Sequence, residues 1–229
     1  MRRLPWISIG MLAIMLGGLF LIPDLSPKQL LVRLVSAKPV STIINRLQQY
    51  SPLPNNAECL VKLKHQDVAF RLQAPFSEPM GCNVEHAVRL SRIGDTSLDN
   101  APLLTCRMAL QLSKFERSTL QPNAQRILGA RVKRLKHIGT YNCRSMRQYQ
   151  GLLSQHAFAN AIDISGFVLD DGQVINVEKD WKGSAAKSKF LKAVASKACK
   201  SFRVSVSPDA DANHFNHLHW DAGLYRSCS

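Results

Sequence analysis

Six cysteines restrict the folds open to this chain more than any other feature: Cys59, Cys82, Cys106, Cys143, Cys199 and Cys228. All lie beyond residue 58, the count is even, and no two form a C-x-x-C step. Thiolate metal sites use closely spaced pairs, so the pattern reads as three disulfides formed in an oxidising compartment. Joining sequence neighbours gives the expected bridges: Cys59 with Cys82, Cys106 with Cys143, and Cys199 with Cys228. Each would contribute about 2–4 kcal/mol.

The front of the chain accounts for export. Arg2 and Arg3 precede residues 4–22, which carry no charge, and Pro23 and Asp24 end the run. About 20 apolar residues span a bilayer, and the two arginines belong on the cytoplasmic side. Residues 1–23 therefore read as an uncleaved signal anchor, a single transmembrane helix that places the remainder outside the cytoplasm. The alternative is a signal peptide removed to leave a secreted protein. Against it, the run ends in Phe20, Leu21, Ile22 and Pro23, without small cleavage-site residues. Residues 24–54 mix Pro, Ser and basic residues around one helix-like piece at 28–35. They read as a linker or stalk, partly packed on the main domain. That domain comprises residues 55–229, long enough to bury a core.

Thirty basic residues against 16 acidic ones leave a net charge of +14. Such a charge favours polyanions: nucleic acid, anionic lipid or an acidic wall polymer. No run of Lys and Arg interleaved with aromatics offers a nucleic-acid platform, so no nucleic-acid partner is expected.

Within the domain, residues 59–70 alternate as a strand, 102–112 read as a helix, and 122–128 open a second helix with Pro122 near its start. Residues 132–138 are strand-like and 140–144 extend that edge. Residues 161–169 and 173–177 flank Asp170, Asp171 and Gly172, a hairpin signal. Residues 185–199 place Phe190, Leu191, Val194, Ala195 and Ala198 at helical spacing, a core-packing pattern, and 202–206 form a strand. The expected fold is α+β: a small, mostly antiparallel sheet carrying a metal site, with helices packed on one face.

Two stretches, residues 154–163 and 214–221, hold four of the seven histidines. Residues two apart on a strand share a face. His217 and His219 then project together, with Leu218 and Trp220 opposite. Asp163 shares a face with Ala161 and Ser165, while Ile162 and Ile164 turn to the core. A lone buried carboxylate is costly, and a metal ion would supply its partner. Catalytic zinc takes few nitrogen and oxygen ligands and keeps one position open, so His156, Asp163 and His219 are the candidate ligands. His65, His86 and His137 lie outside the cluster and read as structural or exposed. Asp170 and Asp171 read as turn residues, and Asp209 and Asp211 as shaping the loop before the second stretch.

The pattern Ser154-x-His156-x-x-x-x-Ala161-x-Asp163, with His217-x-His219 further along, resembles the zinc D-Ala-D-Ala metallopeptidases: D,D-carboxypeptidases, D-Ala-D-Ala dipeptidases and penicillin-insensitive murein endopeptidases. From Cys59 onward the chain more closely resembles the bacterial extensin-like C-terminal domain family. The spaced cysteines, Tyr141-Asn142-Cys143-Arg144, Ser154-Gln155-His156-Ala157, and residues 161–167 and 213–219 carry that likeness. The resemblance implies Zn2+ on His156, Asp163 and His219, and hydrolysis of amide bonds in peptidoglycan stem peptides or cross-links. It also implies a bacterial inner-membrane protein with its catalytic domain in the periplasm. Where many members carry a catalytic Glu, this chain has His214 and His217. His217 is thus the candidate general base, its ordinary pKa of about 6.5 suiting the task, with His214 assisting. Arg144 matches an arginine near the scissile carbonyl, suited to an oxyanion or a substrate carboxylate. Ser154 matches a residue that holds substrate or orients the ligand loop. A glycine usual in the family is Ala159 here. The rivals are a wall-binding or scaffolding domain with structural zinc, which a fourth protein ligand would favour, and a basic envelope protein that has lost the metal.

Overall fold

The computed structural model describes residues 26–49 and 56–229. The apolar run read as a signal anchor lies outside the described residues, and among these no helix is long and apolar enough to cross a membrane.

Residues read as a stalk carry two helices, α1 (Pro27–Ser36) and α2 (Lys38–Gln49). Ser26 starts α1 with a capping box: its hydroxyl accepts from Gln29 N, and the Gln29 side chain returns to the Ser26 backbone. Next come α3 (Asn56–Lys64), β1 (Val68–Leu72), β2 (Phe76–Glu78), β3 (Cys82–Val84), β4 (Ala87–Ile93), β5 (Thr96–Leu98) and β6 (Leu103–Thr105). The chain continues through α4 (Cys106–Phe115), a π-turn (Glu116–Leu120), α5 (Gln121–Leu128), β7 (Val132–Gly139), β8 (Ser145–Met146) and β9 (Tyr149–Leu153). A 3-10 turn (Gln155–Phe158) leads into β10 (Ala161–Leu169), β11 (Val174–Asn176), α6 (Val177–Asp180), α7 (Ala186–Ser201), β12 (Val204–Val206), β13 (Leu218–Asp221) and β14 (Ser227–Cys228).

The fold class is α+β as expected, but the sheet is not small. Ten strands run in the order β1-β4-β5-β7-β10-β13-β12-β14, with β11 on β10 and β6 on β4. The β5–β7 and β12–β14 pairs are parallel and the other pairs antiparallel. The extra breadth comes from residues 68–105, which contribute β1, β4, β5 and β6. Two local expectations change. Residues 59–64 are helical, because Cys59 and Leu63, four apart, are the pair that faces the core. The expected helix at 102–112 begins only at Cys106, where the Thr105 hydroxyl caps it by accepting from Met108 N at 3.2 Å.

Two of the three expected disulfides also change partners. The bonds join Cys59 to Cys106, Cys82 to Cys143, and Cys199 to Cys228. Only the last agrees with pairing by sequence proximity. Cys59 on α3 meets the start of α4 because the two helices pack together. Cys82 sits in an apolar cluster with Leu153, Ala157 and Phe158, against which Cys143 packs.

The sheet centre positions the site. β10 lies between β7 and β13, and the β13 register sets Asp163 opposite His219 and Ile164 opposite Leu218. Ile162, Ile164, Leu218 and Trp220 are fully buried on one face. Trp220 stacks on Phe202 with ring centroids 5.0 Å apart and meets Phe115 of α4 edge-on at 5.1 Å. Phe167 of β10 meets Phe190 of α7 in the same manner. Burial of each such side chain is worth about 1.5–3 kcal/mol, so the site is backed by a sealed apolar layer.

Candidate metal centre

Strand alternation turns Asp163 and His219 to the face opposite Trp220, where they stand side by side across the β10–β13 pair. His156 arrives from the 3-10 turn. There the Ser154 hydroxyl accepts from His156 N at 3.3 Å, so this side chain shapes the turn that carries His156. Ala159 ends the turn in the left-handed region, with φ 52. A non-glycine residue there costs roughly 1–2 kcal/mol. Its methyl is fully buried with Val84, Ala87 and Leu103, which returns about 0.8 kcal/mol.

The three side chains meet. His219 Nδ1 is 2.9 Å from Asp163 Oδ1, His156 Nε2 is 3.3 Å from the same oxygen, and the two ring nitrogens are 3.1 Å apart. Tetrahedral zinc with ligand bonds of about 2.0–2.1 Å separates its ligand atoms by roughly 3.3 Å, so these spacings suit one small cation. The outer nitrogens support the same reading. His156 Nδ1–H donates to the Thr140 carbonyl at 2.9 Å, which can only accept. His219 Nε2–H donates to Asp221 Oδ2 at 3.2 Å. In each neutral imidazole the inner nitrogen is then left with a lone pair aimed at the Asp163 carboxylate. Three acceptors facing one point repel unless a cation sits among them. Ligating histidines are commonly fixed through their second nitrogen in this manner.

In the metal-free protein that cation is a proton. Burial disfavours a charged His219, but the carboxylates of Asp163 and Asp221 outweigh it and push its pKa up to about 9. Burial likewise opposes charge on Asp163, yet His156 and His219 hold its carboxyl far below the usual carboxylate range.

His217 stands beside this triad without joining it: the ligand atoms that cluster belong to His156, Asp163 and His219. Its Nε2 is 3.6 Å from Asp163 Oδ1, and its Nδ1 faces the Asn216 side-chain carbonyl at 2.8 Å. Donation from Nδ1 to that carbonyl turns the Nε2 lone pair inward. Burial pushes the His217 pKa down to about 4; Asp163 opposes this, and the neighbouring histidines add to it. The ring is therefore neutral at pH 7. His214 is tied to Asp211 at 2.9 Å and lies 5.1 Å, ring to ring, from His217. Asp211 thus shapes the loop, as expected. Arg144 is half-buried; its Nη1 donates to its neighbour's carbonyl, Ser145 O, at 3.3 Å, and its own carbonyl accepts from Ser154 N. Its chain segment therefore runs beside the turn bearing His156, and no contact ties its guanidinium to the triad. His137 remains structural, bonded through Nε2 to Asp99 O.

Two participants escaped the sequence reading. Asp221 continues the alternation of His217 and His219 by one more step and could have been found that way. Thr140 acts through its backbone carbonyl and leaves no signal in side-chain type. A family model described as extensin-like protein C-terminus matches residues 57–229. No curated protein and no solved structure matches.

Proposed function

The chain belongs to the extensin-like protein C-terminus family, and from that premise and the site's geometry we propose a zinc-dependent peptidase that hydrolyses amide bonds in peptidoglycan stem peptides or cross-links. One observation carries the reading: three acceptor atoms converge on one point, and a neutral imidazole stands beside them outside the ligand set. A fourth protein ligand would have favoured a structural ion; the triad has none among the described residues.

His156 Nε2, Asp163 Oδ1 and His219 Nδ1 would hold the ion. When bound, zinc supplies Lewis acidity to a substrate carbonyl and to water. Asp221 and the Thr140 carbonyl keep the two ligand rings in the required tautomer. His217 Nε2 takes the proton as water oxygen bonds to the amide carbon, then delivers it to the nitrogen as the C–N bond breaks. Burial keeps His217 neutral in the metal-free protein, so its Nε2 lone pair is free to accept that proton. His214 buffers the position of His217 through ring contact. Arg144 retains free donors for a substrate carboxylate or the developing oxyanion, since its bond to Ser145 O uses only one. The net charge of +14 suits a wall polymer rich in carboxylates, and the uncharged run at residues 4–22 suits an inner-membrane anchor with the domain in the periplasm.

The test is incubation of the purified protein with muropeptides, with and without chelator, read by mass spectrometry. New amine and carboxyl termini that disappear with chelator and return with zinc are expected. Intact muropeptides in the zinc-loaded protein would refute the reading.

A further inference from the structure

Helix α2 is built inside out. Its polar residues Ser41 and Gln48 are buried, and Asn45 is bonded to the body of the protein: Asn45 Nδ2 donates to Gly151 O at 2.9 Å and Asn45 Oδ1 accepts from Leu153 N at 2.8 Å. Its apolar residues Val40, Ile43 and Leu47 are exposed, Ile43 by 60% and Leu47 by 57%. At spacings of three and four they form one stripe. Leu31 and Leu34 of α1, three apart, are exposed as well. A water-facing helix presents the opposite arrangement, so this face is built for an apolar neighbour.

The chemistry around the stripe identifies that neighbour. Residues 26–57 contain Lys28, Arg33, Lys38 and Arg46 and no Asp or Glu. Apolar stripes flanked only by cations belong to helices that lie in the head-group layer of anionic membranes. On the reading of residues 4–22 as a membrane anchor, that run ends a few residues before α1 and would bring these helices to the bilayer surface. We propose that α1 and α2 lie on an anionic bilayer, with Leu31, Leu34, Ile43 and Leu47 entering the acyl boundary. This membrane contact is independent of the chemistry at the metal centre. It has a geometric consequence there: Asn45 grips the backbone of β9, and β9 runs through Leu153 directly into the turn bearing His156. The triad is thereby held at a set height and tilt over the membrane.

Benzoylphenylalanine placed at Ile43, Leu47 or, as a control, the exposed Lys189 of α7 tests this in the full chain reconstituted in vesicles. Irradiation in vesicles containing phosphatidylglycerol should give lipid adducts at 43 and 47 several-fold above those at 189. The yield should fall in purely phosphatidylcholine vesicles. Adducts to protein alone would mean that the chain's own apolar run or a partner covers the stripe, and parity with position 189 would mean that it faces water; either overturns the proposal. Equal yields in both vesicle types would overturn the part assigned to the four cations.

Discussion

The triad and the histidine loop lie within a few ångströms of each other, yet they are held by different means. Asp163 and His219 sit on hydrogen-bonded partner strands with a sealed aromatic layer behind them. His156 sits on a capped turn, and both ligand rings are pinned at their outer nitrogens. His214 and His217, by contrast, precede β13 on a loop, and each is held by a residue close in sequence, Asp211 and Asn216. Metal affinity demands fixed positions, because ligand atoms displaced by a fraction of an ångström lose the ion. Proton transfer demands a ring that can adjust as charge moves. On the proposed reading, each task would rest on the kind of support that suits it.

The largest effect should come from breaking the rigid side. Asp163→Ala removes the one oxygen shared by both imidazoles, so zinc content, measured by atomic emission, and muropeptide cleavage should both fall to background. His217→Ala should separate the two regions: zinc stays bound while turnover drops about 10²–10⁴-fold. Equal turnover in this variant and the parent would strip His217 of its role. Asp221→Asn tests the outer support, with an expected loss of about 10–100-fold in zinc affinity by competition titration. Unchanged affinity would show that the β13 backbone alone orients His219.

A subtler outcome concerns protons. Metal ligation needs a neutral His219, whereas Asp163 and Asp221 push its pKa in the metal-free protein up to about 9. Zinc binding near pH 7.5 should therefore release about one proton, fading above pH 9, seen by calorimetry in buffers of different ionisation enthalpy. The same raised pKa stabilises the metal-free fold fully below about 6.5, and this contribution is lost as pH rises through about 9. The smallest effect is Ala159→Gly. Relief of left-handed strain and loss of a buried methyl nearly cancel, so chemical denaturation should shift by less than about 1 kcal/mol.

The grouping of His156, Asp163 and His219 was legible because it is written in side-chain types within two short stretches, and apolar alternation assigned Ile162, Ile164, Leu218 and Trp220 to the far face. Asp221 was equally legible by the same rule. Thr140 was not, since backbone carbonyls are common to every residue. The disulfides were hidden for a different reason: pairing by nearness along the chain ignores the tertiary packing that sets Cys143 against the apolar cluster of Cys82, Leu153, Ala157 and Phe158. The helix at Asn56–Lys64 was ambiguous because a few residues of apolar alternation fit two periods, and only packing against α4 selects one. The sheet's breadth stayed hidden because β5 and β6 are three residues each, too short to carry a period, while the seven-residue β4 breaks alternation by burying Ala87 and Val88 in succession.

The bond between Cys82 and Cys143 closes a span of 61 residues, a constraint worth about 4 kcal/mol against the unfolded chain. Its second sulfur sits three residues past Thr140, on the segment that steadies His156. The bond thus links the His156 mount to the oxidation state of two distant thiols. Before the thiols join, that segment is fastened by weaker links alone, and the first imidazole lacks a firm mount. Disulfides form only under oxidising conditions, so the covalent tie beside the His156 mount would be completed only where these two thiols can join.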